Sequence, residues 1–267
     1  MAQVQDTVMQ ECSWQAPPAG SVAHDMFERA AERGTRALVM DAFIAVEFAS
    51  LSASDHLRAM NTVIRASRPA TSALVTLSRG AVEAYAKVHH LLSADGDDDF
   101  IHRHVSTLYG EFRYPALYEE PLKSRGGTEL DARAERARLA SELTRLGLPA
   151  PAKTEISSLV GALLDEAHGD SEGRRTYSGL SAVAHAHRSG VNNFIVADAQ
   201  GTVMGVGIDR PLLTEFVSLV TIAAFQVLDH VVRCFGSQPR HVALVNSATA
   251  RVSAAMVQLF ERDDPPA

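Results

Sequence analysis

Cysteine is nearly missing from this chain: Cys12 and Cys234 are the two thiols in 267 residues. One lies in a segment rich in turn-forming residues and the other near the end of a long apolar run, so no disulfide framework is expected. A reducing cytoplasm is the simplest compartment. The first residues, Met1-Ala2-Gln3-Val4-Gln5-Asp6-Thr7-Val8, lack the basic flank and apolar centre of a signal peptide. Excess positive charge is absent too, since 25 Lys and Arg face 32 Asp and Glu for a formal charge of −7. Such a chain repels polyanions on average, which argues against a general nucleic-acid surface or an anionic-membrane surface. The most apolar window, Leu212 to Phe235, still carries Glu215, Gln226, Asp229, His230 and Arg233. These groups are costly in a bilayer and ordinary in a buried helix, so no membrane span is read.

Several catalytic signatures are also missing. Neither Gly-x-Ser-x-Gly, a phosphate-binding glycine loop nor Cys-x-x-Cys occurs. Gly201-x-x-x-Gly205-x-Gly207 lacks the following lysine and reads as turn and bulge glycine.

What is present is apolar substance: 46% hydrophobic residues suffice to bury a full core, as one large domain or one domain with appendages. Residues 1 to 22 hold Pro17-Pro18 and Gly20 without sustained periodicity and read as a flexible or loosely docked tail, which Trp14 could anchor. Residues 23 to 262 read as one helical domain, and residues 263 to 267 as a disordered end. Two helical runs flank Gly34, and a third follows Ser54 as N-cap. Arg68-Pro69 opens a central helix to Leu92, with Pro early in the helix, where its missing N–H costs nothing. Asp97-Asp98-Asp99 suits the N-terminus of the next helix, and 129 to 146 is charged enough for an exposed, ion-paired helix. Further helices are predicted over 153 to 168, 173 to 188, 211 to 235 and 242 to 260, with Gly169 as a C-cap. Phe194 to Ala197 and Thr202 to Val206 flank a turn and predict a hairpin. The expected fold is mainly α, a multi-helix bundle of seven to ten helices with one short β-hairpin. Helices 68 to 92, 173 to 188 and 211 to 235 should form its core.

The most informative stretch is Tyr177-Ser178-Gly179-Leu180-Ser181-Ala182-Val183-Ala184-His185. At about 100° per residue, Ser178, Ser181 and His185 share one stripe of a small-residue helix, with Tyr177 and Arg174 near the same face. Arg79 and Glu83 form an i, i+4 pair inside the apolar helix 68 to 92. Buried charges need partners, and the Ser181–His185 stripe is the obvious recipient. The bland alternatives are close helix packing for the stripe and a surface ion pair for Arg79 and Glu83.

Arg79-x-x-x-Glu83, the His90-Leu91-Leu92-Ser93-Ala94-Asp95 run and Tyr177-Ser178-x-x-Ser181-x-x-x-His185 together resemble an uncharacterised all-helical family common in actinobacteria. The resemblance spans roughly residues 70 to 190 and implies a helical fold and the position of a site; it brings no established activity. Members often have Gly after the histidine, where this chain has Ala186 and then His187. The family is loosely like helical domains whose active members cut RNA through an Arg-x4–6-His motif. Here nine residues separate Arg175 from His185 and seven separate Arg233 from His241, so ribonuclease chemistry is disfavoured.

The 11 histidines raise the question of metal. Glu83, His90, His102, His104 and His185 could close a carboxylate–histidine site between helices. No Glu-x-x-His occurs, and the pairs His89-His90, His102-x-His104 and His185-x-His187 point to different faces, so no metal and no cofactor are expected. Asp97-Asp98-Asp99 reads as a helix cap rather than a magnesium site.

Two functional readings follow. The favoured one is a binding or interaction module, with Arg79, Glu83, Ser181 and His185 as a buried structural network and a small molecule or protein as partner; a homo-oligomer is compatible with it. The alternative is an enzyme acting on a small anionic substrate, with His185 as general acid or base, Glu83 orienting it, Arg79 holding the anion and Tyr177 and Ser181 beside them. A cavity reaching His185 with Arg79 and Glu83 in its wall would favour the enzyme.

Overall fold

A computed structural model describes residues 2–11, 16–66, 71–123, 127–168, 172–236 and 239–261. Cys12, Trp14, the Arg68-Pro69 start, the Gly169 cap and the 263–267 end lie outside the described residues. The fold is mainly α. In chain order the elements are α1 (Ala2–Glu11), α2 (Val22–Glu32), α3 (Arg36–Ile64), α4 (Thr71–Leu92), α5 (Gly96–Glu111), α6 (Arg113–Tyr118), α7 (Ala132–Arg145), α8 (Ile156–His168), α9 (Gly173–Ala184), α10 (Arg188–Val191), α11 (Arg210–Phe235) and α12 (Pro239–Glu261). Strands β1 (Leu122–Lys123) and β2 (Glu129–Leu130) pair antiparallel before α7, and β3 (Ile195–Ala197) and β4 (Val203–Val206) form the expected hairpin before α11.

Local chemistry accounts for most of the boundaries. Ser21 caps α2 by accepting the His24 N–H, and Gly34 leaves that helix at φ +66°, a left-handed conformation that glycine adopts at no steric cost. Asp131 caps α7 by accepting from Arg133 and Ala134, and Asp209 caps α11 by accepting from Leu212. In the β3–β4 turn one Asp198 carboxylate oxygen accepts the N–H groups of both Gln200 and Thr202. Asp97, Asp98 and Asp99 occupy the first turn of α5 and are tied to Arg29, Arg33 and Arg103 respectively. That pairing explains the acidic cluster without a cation.

The core is built around α4, which packs against α3, α8, α9 and α11. Val75, Val82, Tyr85 and Val88 of α4 are buried, and Phe43 meets Phe100 and Phe235 at ring-centroid distances of 5.6 and 5.0 Å. By length and composition, α3 and the Pro211–Phe235 part of α11 are apolar enough to cross a membrane. Here both lie against α4.

Three expectations need correction. Over residues 2–11 the chain is not a loose tail but α1, whose Gln5 is buried between a Tyr85 hydroxyl 2.6 Å away and the Ser50 carbonyl 2.7 Å away. Ser54 does not start a helix. It sits within the continuous α3 because its hydroxyl is taken up 2.7 Å from Asp6 of α1. The helix expected over 173 to 188 ends at Ala184, with Ala186 left-handed at φ +53° and α10 following. The turn back is tight enough that a Cβ at Gly190 would lie 2.6 Å from the Ala182 and Val183 backbone.

Candidate functional site

The apolar spacing of α4 buries one side of the helix and leaves Arg79 and Glu83 on the side facing α9. Arg79 Nε donates to Glu83 Oε1 at 2.7 Å, and Tyr177 of α9 donates its hydroxyl to the same oxygen at 2.7 Å. Arg79 Nη2 reaches the Tyr177 hydroxyl at 3.3 Å, and its guanidinium carbon lies 5.6 Å from the Tyr177 ring centre. Arg79 Nη1 lies 3.1 Å from His185 Nε2. An arginine only donates, so His185 accepts through Nε2 and its ring is the neutral tautomer protonated at Nδ1 in this arrangement.

Electrostatics follow the same pairing. Burial pulls the Arg79 guanidinium down, but its hydrogen bonds to Glu83 and Tyr177 outweigh this and raise it. Burial, then the Glu83 carboxylate, pushes the Tyr177 hydroxyl up, which keeps it a donor. The network is half-buried rather than buried, with the Arg79 and Glu83 side chains 20% and 28% exposed and His185 at the surface.

The sequence reading therefore meets its partners in part. Arg79, Glu83, Tyr177 and His185 come together across the α4–α9 contact. Glu83 does not orient His185, because Arg79 stands between them. Ser181 contributes its carbonyl to the His185 N–H at 3.0 Å, and among the described residues its hydroxyl stays out of the network. Ser178 instead enters the wall of an open cavity of about 600 Å³ between α9, α10 and α11.

A second cavity, of about 570 Å³, lies beside α4 toward α3 and α5. Ile44, Phe48, Leu91 and Leu108 give it an apolar body, and Glu83, His90 and His104 bring polar groups to it. Gly80 opens this face, since a Cβ there would stand 2.7 Å from the His56 ring that crosses it. His104 Nε2 lies 3.0 Å from an Asp41 carboxylate oxygen. His90 Nε2 is buried with no hydrogen-bond partner among the described residues. Burial, then the nearby Arg103 charge, pushes the His90 imidazole down to about 4, so it is neutral at ordinary pH.

The histidines weighed as metal ligands do not form one set. His102 meets the Ala150 carbonyl, His185 meets Arg79, and only Glu83, His90 and His104 share a cavity. A different cluster escaped the sequence reading: His89 of α4, Glu166 of α8 and His230 of α11. His89 Nε2 is 2.8 Å from Glu166 Oε2, and His230 Nε2 is 3.5 Å from Glu166 Oε1. Only the divergence of His89 from His90 was readable in advance, because the partners lie far along the chain.

No family model matches this chain, and neither a curated protein nor a solved structure matches it. The site must be read from its own geometry.

Proposed function

We propose that this protein is a helical binding module that takes a small molecule into the cavity between α3, α4 and α5, with the Arg79–Glu83–Tyr177–His185 network holding one wall. The observation that carries this reading is His90: a neutral imidazole whose buried Nε2 has no hydrogen-bond partner among the described residues, on a residue lining a cavity of about 570 Å³ with an apolar body and a polar part that includes Asp41, Glu83 and His104. Buried polar atoms are nearly always bonded, and an unpartnered imidazole nitrogen on a residue that lines a ligand-sized space is one that a small turn of the ring would offer to a ligand. The ligand class that fits has an apolar body and one hydrogen-bonding group for His90. Glu83 belongs to both the cavity and the network, so the pairing with Arg79 and Tyr177 fixes the carboxylate where a ligand would meet it. We place the protein in the cytoplasm on its sequence character.

The enzymatic alternative keeps one observation in its favour, the His104–Asp41 pair at 3.0 Å in the same cavity. A histidine oriented by a carboxylate is suited to acid–base work. The assembly expected around His185 is less suited, since neither Arg79 nor His185 lines this cavity.

Fragment screening by ligand-observed NMR tests the binding reading. Fragments with one hydrogen-bonding group on an apolar ring should bind the parent, lose affinity in His90→Ala, and fail to bind Ala45→Trp, which fills the cavity. Hits that bind Ala45→Trp as well as the parent, or no hits at all, would sink it.

A further inference from the structure

We propose that His89, Glu166 and His230 form a binding site for a divalent first-row transition metal ion, of the zinc class. Each of the three helices that meet here supplies one ligand. The ligand atoms of all three side chains lie within 4.8 Å of one another. Four-coordinate zinc with nitrogen and oxygen ligands at about 2.0 Å spaces neighbouring ligand atoms by about 3.3 Å. His89 Nε2 lies 2.8 Å from Glu166 Oε2 and His230 Nε2 lies 3.5 Å from Oε1 of the same carboxylate, so a small turn of the His230 ring and the carboxylate would bring both nitrogens and one oxygen to that spacing.

The donor chemistry is selective. Two imidazoles and one carboxylate suit zinc, iron(II) or manganese(II), whereas magnesium and calcium demand oxygen ligands. Three protein ligands leave at least one position open, and Glu166, 46% exposed, puts that position at the solvent side. His89 sits on the inner side, about 5% exposed, which fixes one ligand in place before any ion arrives.

Support around the ligands is already built. Gln226 of α11 donates its amide to Glu166 Oε1 at 2.6 Å, leaving Oε2 for the ion and holding the carboxylate's orientation. The His89 and His230 rings meet edge to face at 5.1 Å, so neither can swing away freely. In the structure the His89 Nε2 proton points at Glu166. For an ion to bind at Nε2 the neutral ring would have to carry that proton on Nδ1 instead, and the ion would take over the compensation of the carboxylate charge.

The site is independent of the proposed ligand cavity, because none of the three residues lines it. Its test reads metal alone. The full chain, stripped with a chelator and dialysed, should bind one equivalent of Zn2+ in a titration and raise its melting temperature with it. Co2+ in place of Zn2+ should give visible absorption bands that report coordination by nitrogen and oxygen. His230→Ala and Glu166→Gln should weaken Zn2+ binding at least tenfold, and Gln226→Ala should weaken it less. His187→Ala, a surface histidine elsewhere, should bind as the parent does. Circular dichroism matching the parent guards against misfolding of the variants. A parent without stoichiometric Zn2+ binding, or His230→Ala and Glu166→Gln binding as tightly as the parent, would overturn the assignment.

Discussion

At the scale of single residues, the α4–α9 network divides into a part that carries stability and a part that decorates it. Glu83 accepts from both Arg79 and Tyr177, so Glu83→Ala strips two donors at once and should cost about 1–3 kcal/mol. His185 is different. It is exposed, and among the described residues its ring is bonded only through Arg79, which keeps Glu83 and Tyr177 when the ring is removed. His185→Ala should therefore cost under about 1 kcal/mol. Denaturant unfolding of the two variants checks the ranking, and an equal or larger loss for His185→Ala contradicts it. Sequence spacing brought out Arg79, Glu83, Tyr177 and His185 because charges and hydroxyls stand out in an apolar background. It could not tell which of Tyr177 and Ser181 would donate, since that depends on reach: the longer tyrosine crosses the helix gap and the serine hydroxyl does not.

At the scale of elements, the end of α9 and the whole of α1 hold the clearest lessons. The Ala186 N–H bonds the Val183 carbonyl and the His187 N–H bonds the Ala182 carbonyl, at 2.9 and 2.8 Å, which closes α9 in the manner that normally uses glycine at the left-handed position. Alanine at φ +53° is strained there. Ala186→Gly should relieve it and raise stability by about 1 kcal/mol, seen as a higher melting temperature with the helix content unchanged. The backbone angle, which sequence spacing does not give, shows that the need at this position is conformational. The helix over 173 to 188 was overextended in the sequence reading because alanine is a good helix former and gave no stop signal.

The N-terminal helix was missed for the opposite reason. Its buried face is Val4, Gln5 and Val8, and a buried glutamine breaks the apolar pattern that periodicity detects. Gln5→Ala leaves the buried Tyr85 hydroxyl without its acceptor and should cost about 1–3 kcal/mol, measurable by thermal unfolding. A Tyr85→Phe, Gln5→Ala double variant should recover part of that loss. By contrast α4, α5, α7, α11 and the β3–β4 hairpin were legible from their patterns, to which Asp131 adds a cap in α7, Asp209 a cap in α11 and Asp198 a turn bond in the hairpin.

At the scale of the whole molecule, acid sensitivity should begin unusually early. His90 is pushed down to about 4 in the folded chain, against about 6.5 when unfolded. Above pH 6.5 the ring is neutral in both states and contributes no pH dependence. As pH falls from 6.5 to 4 the unfolded chain takes up the proton first, so folding stability drops by about 2–3 kcal/mol and then levels. His89, also shifted down by burial, acts in the same direction. The carboxylates held below their ordinary range, Asp6 and Asp99 among them, lose their contribution only at lower pH. Chemical denaturation in chelator-containing buffers between pH 4 and 7 should show this fall in the parent and a flatter profile in His90→Gln; identical profiles would count against a buried neutral His90.

The central position of α4 also bears on the order in which the fold assembles. Its neighbour α3 precedes it by a short connection, whereas α11 reaches it only after more than a hundred intervening residues. Closing that long loop is entropically slower, so the α3–α4 hairpin should be in place well before α11 docks. His89 would then await its last neighbour, His230, until late in folding. The ring-against-ring contact between them is a natural timestamp, one that forms when the chain has finished becoming itself.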